Sequence, residues 1–208
     1  LANDWEFWVF PKAEPAAADP GVKVLTSLGA DEIKFVSEGG KAVLLGAGHF
    51  PTLPTSFQMS TTGRVRGNLA TVIWDHPITL GFPHEGYCGW QFYSMFHGAS
   101  AVVFNDLKIP FDPIVEVVSS FKLIKKQACL FELKVGKGAL LVCTLNLKES
   151  DPAAAHMRER IIAYASSDLF APKTSADPRE LLCLTGAEVP EDTWVDDNRA
   201  YDATVQTK

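Results

Sequence analysis

Cys88 sits in Gly86-Tyr87-Cys88-Gly89-Trp90, a thiol between glycines. A thiol turns nucleophilic when a base or an electropositive surrounding lowers its pKa. A loop cysteine packed beside Tyr87 and Trp90 needs no activation, and that is the expectation for Cys88. It remains the catalytic candidate if the chain is a thiol enzyme. Asp75, Glu85, Asp106 and Asp112 are carboxylates at strand ends or in loops. Glycoside hydrolysis needs two carboxyl groups roughly 5–10 Å apart. Asp75 precedes His76-Pro77 and Asp112 precedes Pro113, so turn formation accounts for both. His49, His76 and His84 could share a metal only if the fold brought them together. Neither His-x-x-x-His nor His-x-His occurs, and the four cysteines contain no Cys-x-x-Cys. No metal and no cofactor are therefore expected. The remaining chemistry is recognition. Sugars stack their apolar faces on aromatic rings and offer hydroxyls to amides and acids. His49, Glu85, Trp90 and Gln91 form the candidate ligand patch, with Tyr87, Tyr93 and His84 nearby. Trp90, Phe92 and Phe96 also read as core anchors at this spacing.

Bulk properties restrict the partners. The 208 residues suit one domain with a real core, and 47% of them are apolar. A net charge of -6 without a Lys/Arg cluster excludes a nucleic-acid partner. No apolar run is long enough to span a bilayer. The chain opens on Leu1 and passes at once into an aromatic alternation, which is expected where more polypeptide precedes it. Cys129 and Cys143 lie in apolar strand-like runs and read as buried structural thiols.

These residues must be positioned by regular elements. Residues 6–10 alternate like a strand. Residues 22–25 read as a buried strand, 31–38 as a helix stopped by Gly39-Gly40, and 41–45 as a continuous apolar strand. Strand, helix and buried strand in that order predict a βαβ unit. An unbroken apolar strand predicts burial on both faces by helices. Ligands in such sheets bind beyond the strand C-termini, where Gly46 to His49 fall. Residues 51–68 are rich in turn formers. Residues 69–74, 101–104 and 114–121 read as strands. Residues 128–135 and 139–145 form a hairpin around Gly136-Lys137-Gly138. Asp151-Pro152 opens an amphipathic helix over 152–169. The predicted fold is an open, mostly parallel α/β sheet with helices on both faces and this hairpin near its end. Residues 1–172 are assigned to the domain, and 173–208 to an acidic tail or linker.

Several phrases carry a family resemblance: Trp5-Glu6-Phe7-Trp8-Val9-Phe10-Pro11, Glu38-Gly39-Gly40-Lys41-Ala42-Val43-Leu44-Leu45, His76-Pro77-Ile78 with Gly81-Phe82-Pro83, Trp90-Gln91-Phe92, and the run from Leu130 to Cys143. Their ordered series resembles the class I glutamine-amidotransferase-like domains of bacterial glycoside hydrolase family 2, β-galactosidase-like proteins. The resemblance implies a flavodoxin-like core, a large parent polypeptide, a carbohydrate context and a periplasmic or extracellular location. It also implies a Cys–His–Glu triad, from which this chain departs. Trp90 stands where the motif has a glycine two residues past the cysteine. Phe82-Pro83-His84-Glu85 is no buried strand, and the His-x-Glu pair is missing, since His156 is followed by Met157 and Arg158. The expected function is a non-catalytic accessory domain serving architecture, oligomerisation or substrate access. Its partners would be other domains of the parent, a carbohydrate, or a second copy. A carbohydrate-binding module and a thiol amidohydrolase through Cys88 are the alternatives.

Overall fold

The computed structural model describes residues 2–12, 20–57, 68–120 and 123–187. Strand β1 (Val22–Leu25), helix α1 (Ala30–Ser37) and strand β2 (Lys41–Leu45) follow the expected order. Asp31 and Glu32 fall in the first turn of α1, where the helix dipole favours negative charge. The Glu32 carboxylate also accepts from the Gly29 N–H at 2.9 Å, which satisfies one end group. Ile33 and Val36 face inward, each 1% exposed. Gly39 ends the helix at φ +120, a conformation that side chains disfavour.

Next come β3 (Thr52–Pro54), β4 (Asn68–Ile73), a 3-10 turn (Trp90–Phe92), α2 (Tyr93–Phe96) and β5 (Ser100–Val103). They are followed by β6 (Pro113–Ser119), β7 (Lys126–Val135), β8 (Gly138–Cys143) and α3 (Pro152–Ala165). Two short elements close the described chain, β9 (Ser175–Ala176) and α4 (Pro178–Thr185). The predicted N-cap of α3 is in place: the Asp151 carboxylate accepts from the Ala154 N–H at 2.9 Å.

The protein is α/β, with one open, mixed sheet rather than a mostly parallel one. β1–β2, β2–β8 and β7–β9 pair in parallel, whereas β3–β5, β4–β6, β5–β7, β6–β7 and β7–β8 are antiparallel. The apolar runs predicted strands correctly but carry no record of strand direction. β7 is the hub, meeting β5, β6, β8 and β9. Side chains alternate between two cores. Val43, Leu141 and Cys143 join Phe92, Phe96, Met157 and Ile161 in one. Ala42, Leu44, Leu140 and Val142 join Ile33, Val36, Leu181 and Leu182 in the other.

Two expectations are corrected. Residues 5–10 form no strand. Among the described residues their ladder finds no partner; instead Phe10 stacks on Phe82 with centroids 5.4 Å apart, and Trp5, Phe7 and Val9 stand more than 80% exposed. The domain also extends past residue 172, because β9 pairs with β7 and α4 buries Leu181 and Leu182. The acidic stretch from 188 onward lies outside the described residues.

The β7–β8 turn is seated on the end of α1. Lys137 N–H donates to the Ser37 carbonyl at 2.9 Å. A methyl group on Gly138 would collide with the Val36 and Gly40 carbonyl oxygens, and one on Gly136 would lie 2.5 Å from the Ser37 oxygen. Gly98 has φ +75 but open space around it. Gly138→Ala should therefore cost about 2 kcal/mol or more through overpacking, and Gly98→Ala about 1 kcal/mol through its backbone alone. Urea unfolding of the two variants checks this, and equal losses would contradict the close approach.

Candidate functional site

The chain between β4 and the 3-10 turn is irregular, so its backbone groups need partners from elsewhere. Arg160, on α3, provides three of them. Its Nε donates to the Ile78 carbonyl at 2.6 Å, and Nη2 donates to the Pro77 carbonyl at 3.2 Å and to that of Leu80. Ile78 and Phe82 turn inward and are buried. Further on, the Ile73 N–H donates to the Gly86 carbonyl at 2.8 Å and the Cys88 N–H to Thr71 Oγ1 at 2.9 Å. These bonds tie the far limb of the loop back to β4. The Gln91 amide donates to the Pro83 carbonyl at 2.6 Å.

One flank of the loop forms a cleft of about 840 Å³. The N-terminal segment supplies Trp5 and Trp8, and the loop supplies His84, Glu85, Tyr87, Trp90 and Gln91. Phe57 lies between Trp90, at 5.1 Å, and Tyr93, at 5.5 Å between ring centroids. Trp90 is 63% exposed, so its ring is surface rather than core. Tyr87 donates to Glu85 Oε2 at 3.1 Å, and that hydrogen bond raises its pKa. Gln91 is buried, and its carbonyl oxygen has no hydrogen-bond partner among the described residues.

The opposite flank borders a second cleft of about 490 Å³, lined by Trp74, Asp75, His76, Phe111, Asp112, Glu116 and Glu132 among others. Glu132 projects from β7. Its Oε2 accepts from the Tyr164 hydroxyl at 2.8 Å and lies 3.6 Å from His76 Nε2. Burial, then the hydrogen bond and charge of Glu132, push the Tyr164 phenol well above its ordinary pKa. The His76 ring meets the Tyr164 ring edge to face at 4.9 Å.

Of the four predicted patch residues, Glu85, Trp90 and Gln91 come together. His49 does not: it is exposed after β2, beside Phe50, which packs into the core opposite Phe92. His84 and His76 line different clefts, so the three histidines never converge. No three metal-binding side chains cluster among the described residues. Asp75 and Asp112 share the second cleft, but Asp106 lines neither. Cys88 reaches the aromatic cleft yet is 8% exposed. Sequence reasoning missed Phe57 in the first cleft, and Glu116, Glu132 and Tyr164 around the second. Glu132, a lone acid between Phe131 and Leu133, was a readable signal, because a charge at an inward strand position needs a partner.

Burial pushes the Cys88 and Cys143 thiols up to about 12, with a hydrogen bond from Thr71 offsetting part of it at Cys88. Cys129 is raised by the same cause. These sulfurs hold their protons at neutral pH and offer no nucleophile. Cys183 alone among the four is exposed. A thiol reagent at pH 8 should titrate one sulfhydryl in the native chain and all of them in urea. Unfolded thiols begin to lose protons near pH ~8.5, whereas the native ones keep theirs. Native stability should therefore fall as pH rises from that range toward 12. A urea midpoint at pH 10 no lower than at pH 7.5 would contradict the burial.

No helix among the described residues is long and apolar enough to cross a membrane. No curated protein matches the sequence. One family model does match, spanning residues 23–185, from β1 to the end of α4. The chain thus belongs to the family described as a domain of unknown function, DUF8487.

Proposed function

We propose that this chain is a non-catalytic accessory domain that binds carbohydrate in its aromatic cleft. The observation carrying this reading is the cleft itself: exposed indole and phenol rings of Trp90 and Tyr87 beside Glu85, His84 and Gln91. Flat apolar rings suit the faces of pyranose sugars, and the acid and amide suit their hydroxyls. A thiol mechanism gains no support, because Cys88 is buried and protonated.

The same proposal includes the body of the domain. We read it as a flavodoxin-like, class I glutamine-amidotransferase-like core with helices on both faces, attached to a glycoside hydrolase. The parallel strip β1–β2–β8, with α1 between β1 and β2, supports that reading. The antiparallel strands beyond β7 would then be an elaboration that builds the loop and its clefts.

Calorimetric titration with a panel of neutral oligosaccharides tests the binding. At least one should give saturable heat in the wild type, and Trp90→Ala should weaken it roughly tenfold, the scale expected for losing a stacking ring. A panel without heat, or binding indifferent to Trp90→Ala, would contradict the reading.

A further inference from the structure

The segment before β1 keeps the alternation of a strand without a strand's partner. Trp8 and Phe10 turn to the body and are half-buried, with Phe10 against the Phe82 and His156 rings at 5.4 and 5.5 Å between centroids. Trp5, Phe7 and Val9 form the opposite row in full solvent. Among the described residues, no hydrogen bond reaches the backbone of residues 2–12. A bare ladder beside an apolar row is a template for strand addition. Each aromatic side chain in the row brings about 150–250 Å² of surface. The row is therefore of the size, a few hundred Å², at which exposed apolar surface marks an interaction site.

The run is also its own complement. Asp4 and Lys12 stand at its two ends, both exposed and equally far in sequence from Trp8. Neither joins an ion pair among the described residues. When two copies of the run lie antiparallel and centred on Trp8, Asp4 of each faces Lys12 of the other. The same register sets Phe7 beside Val9 of the second copy, and Trp5 beside Pro11. Opposed residues in such a ladder alternate between hydrogen-bonded and non-hydrogen-bonded pairs. With Trp8 in a hydrogen-bonded pair, Pro11 falls at a non-hydrogen-bonded site, where the ladder needs no N–H from it.

We propose that residues 4–12 pair antiparallel with the same residues of a second copy, forming a symmetric dimer through a two-stranded ribbon. The pairing gives the bare ladder its hydrogen bonds, each exposed ring a cross-strand neighbour, and each end charge its opposite. The ribbon alone covers less than the about 800 Å² per partner of a standard interface, so the dimer is reversible, with Kd on the order of micromolar.

Sedimentation equilibrium of the full chain between about 1 and 300 µM tests this. The average mass should climb from one chain towards two and stop there. Val9→Asp sets a charge beside Phe7 of the second copy and touches neither cleft. It should weaken the dimer at least about tenfold. Asp4→Lys and Lys12→Asp should each weaken it roughly fivefold, since like charges then face each other at both ends of the ribbon. The double reversal, Asp4→Lys with Lys12→Asp, should restore the wild-type constant. All three positions are exposed, so the variants keep the fold. A single-chain mass throughout overturns the proposal, and so does a mass that passes two chains. A dimer indifferent to Val9→Asp, or a double reversal that fails to restore it, overturns it as well. No sugar enters these measurements, so this proposal and the sugar-binding reading fail separately.

Discussion

A single guanidinium on α3 holds the segment from which both clefts are built. Arg160 donates to the carbonyls of Pro77, Ile78 and Leu80, a stretch with no helix or strand of its own to satisfy them. Hydrogen bonds from a charged donor contribute about 1.5–3 kcal/mol each, more than neutral ones. His76 stands just before the clamped carbonyls, and Glu85, Trp90 and Gln91 follow them. The clamp depends in turn on where α3 sits. That position is set by Met157 and Ile161, which are buried against the sheet core, and by the Asp151 cap. Thus the packing of one helix reaches, through one side chain, to two surfaces that share no lining residue.

The mixed sheet explains why the second cleft exists. A wholly parallel sheet would give β7 two neighbours running with it. Here β6 returns antiparallel beside β7, and the irregular register between Pro113 and Glu116 bends the strand at the cleft. Glu116 and Glu132 thereby reach one hollow from adjacent strands, with Trp74 arriving from the end of β4. The hairpin on the other side of β7 is held by its glycines against α1, which keeps the hub strand in register.

Much of this was legible where a signal is local. Residues 22–25 and 41–45 are strands, and 31–37 are helical, because capping acids, glycine stops and apolar runs act over a few residues. Asp151-Pro152 announced α3, and Asp177-Pro178 announces α4 by the same logic, with Asp177 Oδ1 accepting from the Arg179 N–H at 2.9 Å. That second signature lay in a stretch assigned to the tail, where weak periodicity outweighed it. Residues 5–10 misled because alternation marks a strand only where an edge receives it. Strand direction and the second cleft were illegible for one reason. Both depend on which distant segments meet, and Trp74, Asp112, Glu132 and Tyr164 belong to four separate elements or connections. The aromatic patch was easier to read, since Glu85, Trp90 and Gln91 are close in sequence. His49 entered it through a rule for parallel sheets; it does follow β2 in the parallel strip, but the patch is built from the segment beyond β4.

Hydrogen exchange on an Arg160→Met variant tests the clamp most directly. The Thr79 and Leu80 N–H groups donate to the His76 carbonyl, and Phe82 N–H to that of Thr79. Those amides should exchange at least about tenfold faster in the variant, while β2 and β8 amides keep wild-type protection. Unchanged exchange in this loop, or a uniform loss across the sheet, would contradict a clamp that acts on the cleft-forming segment alone.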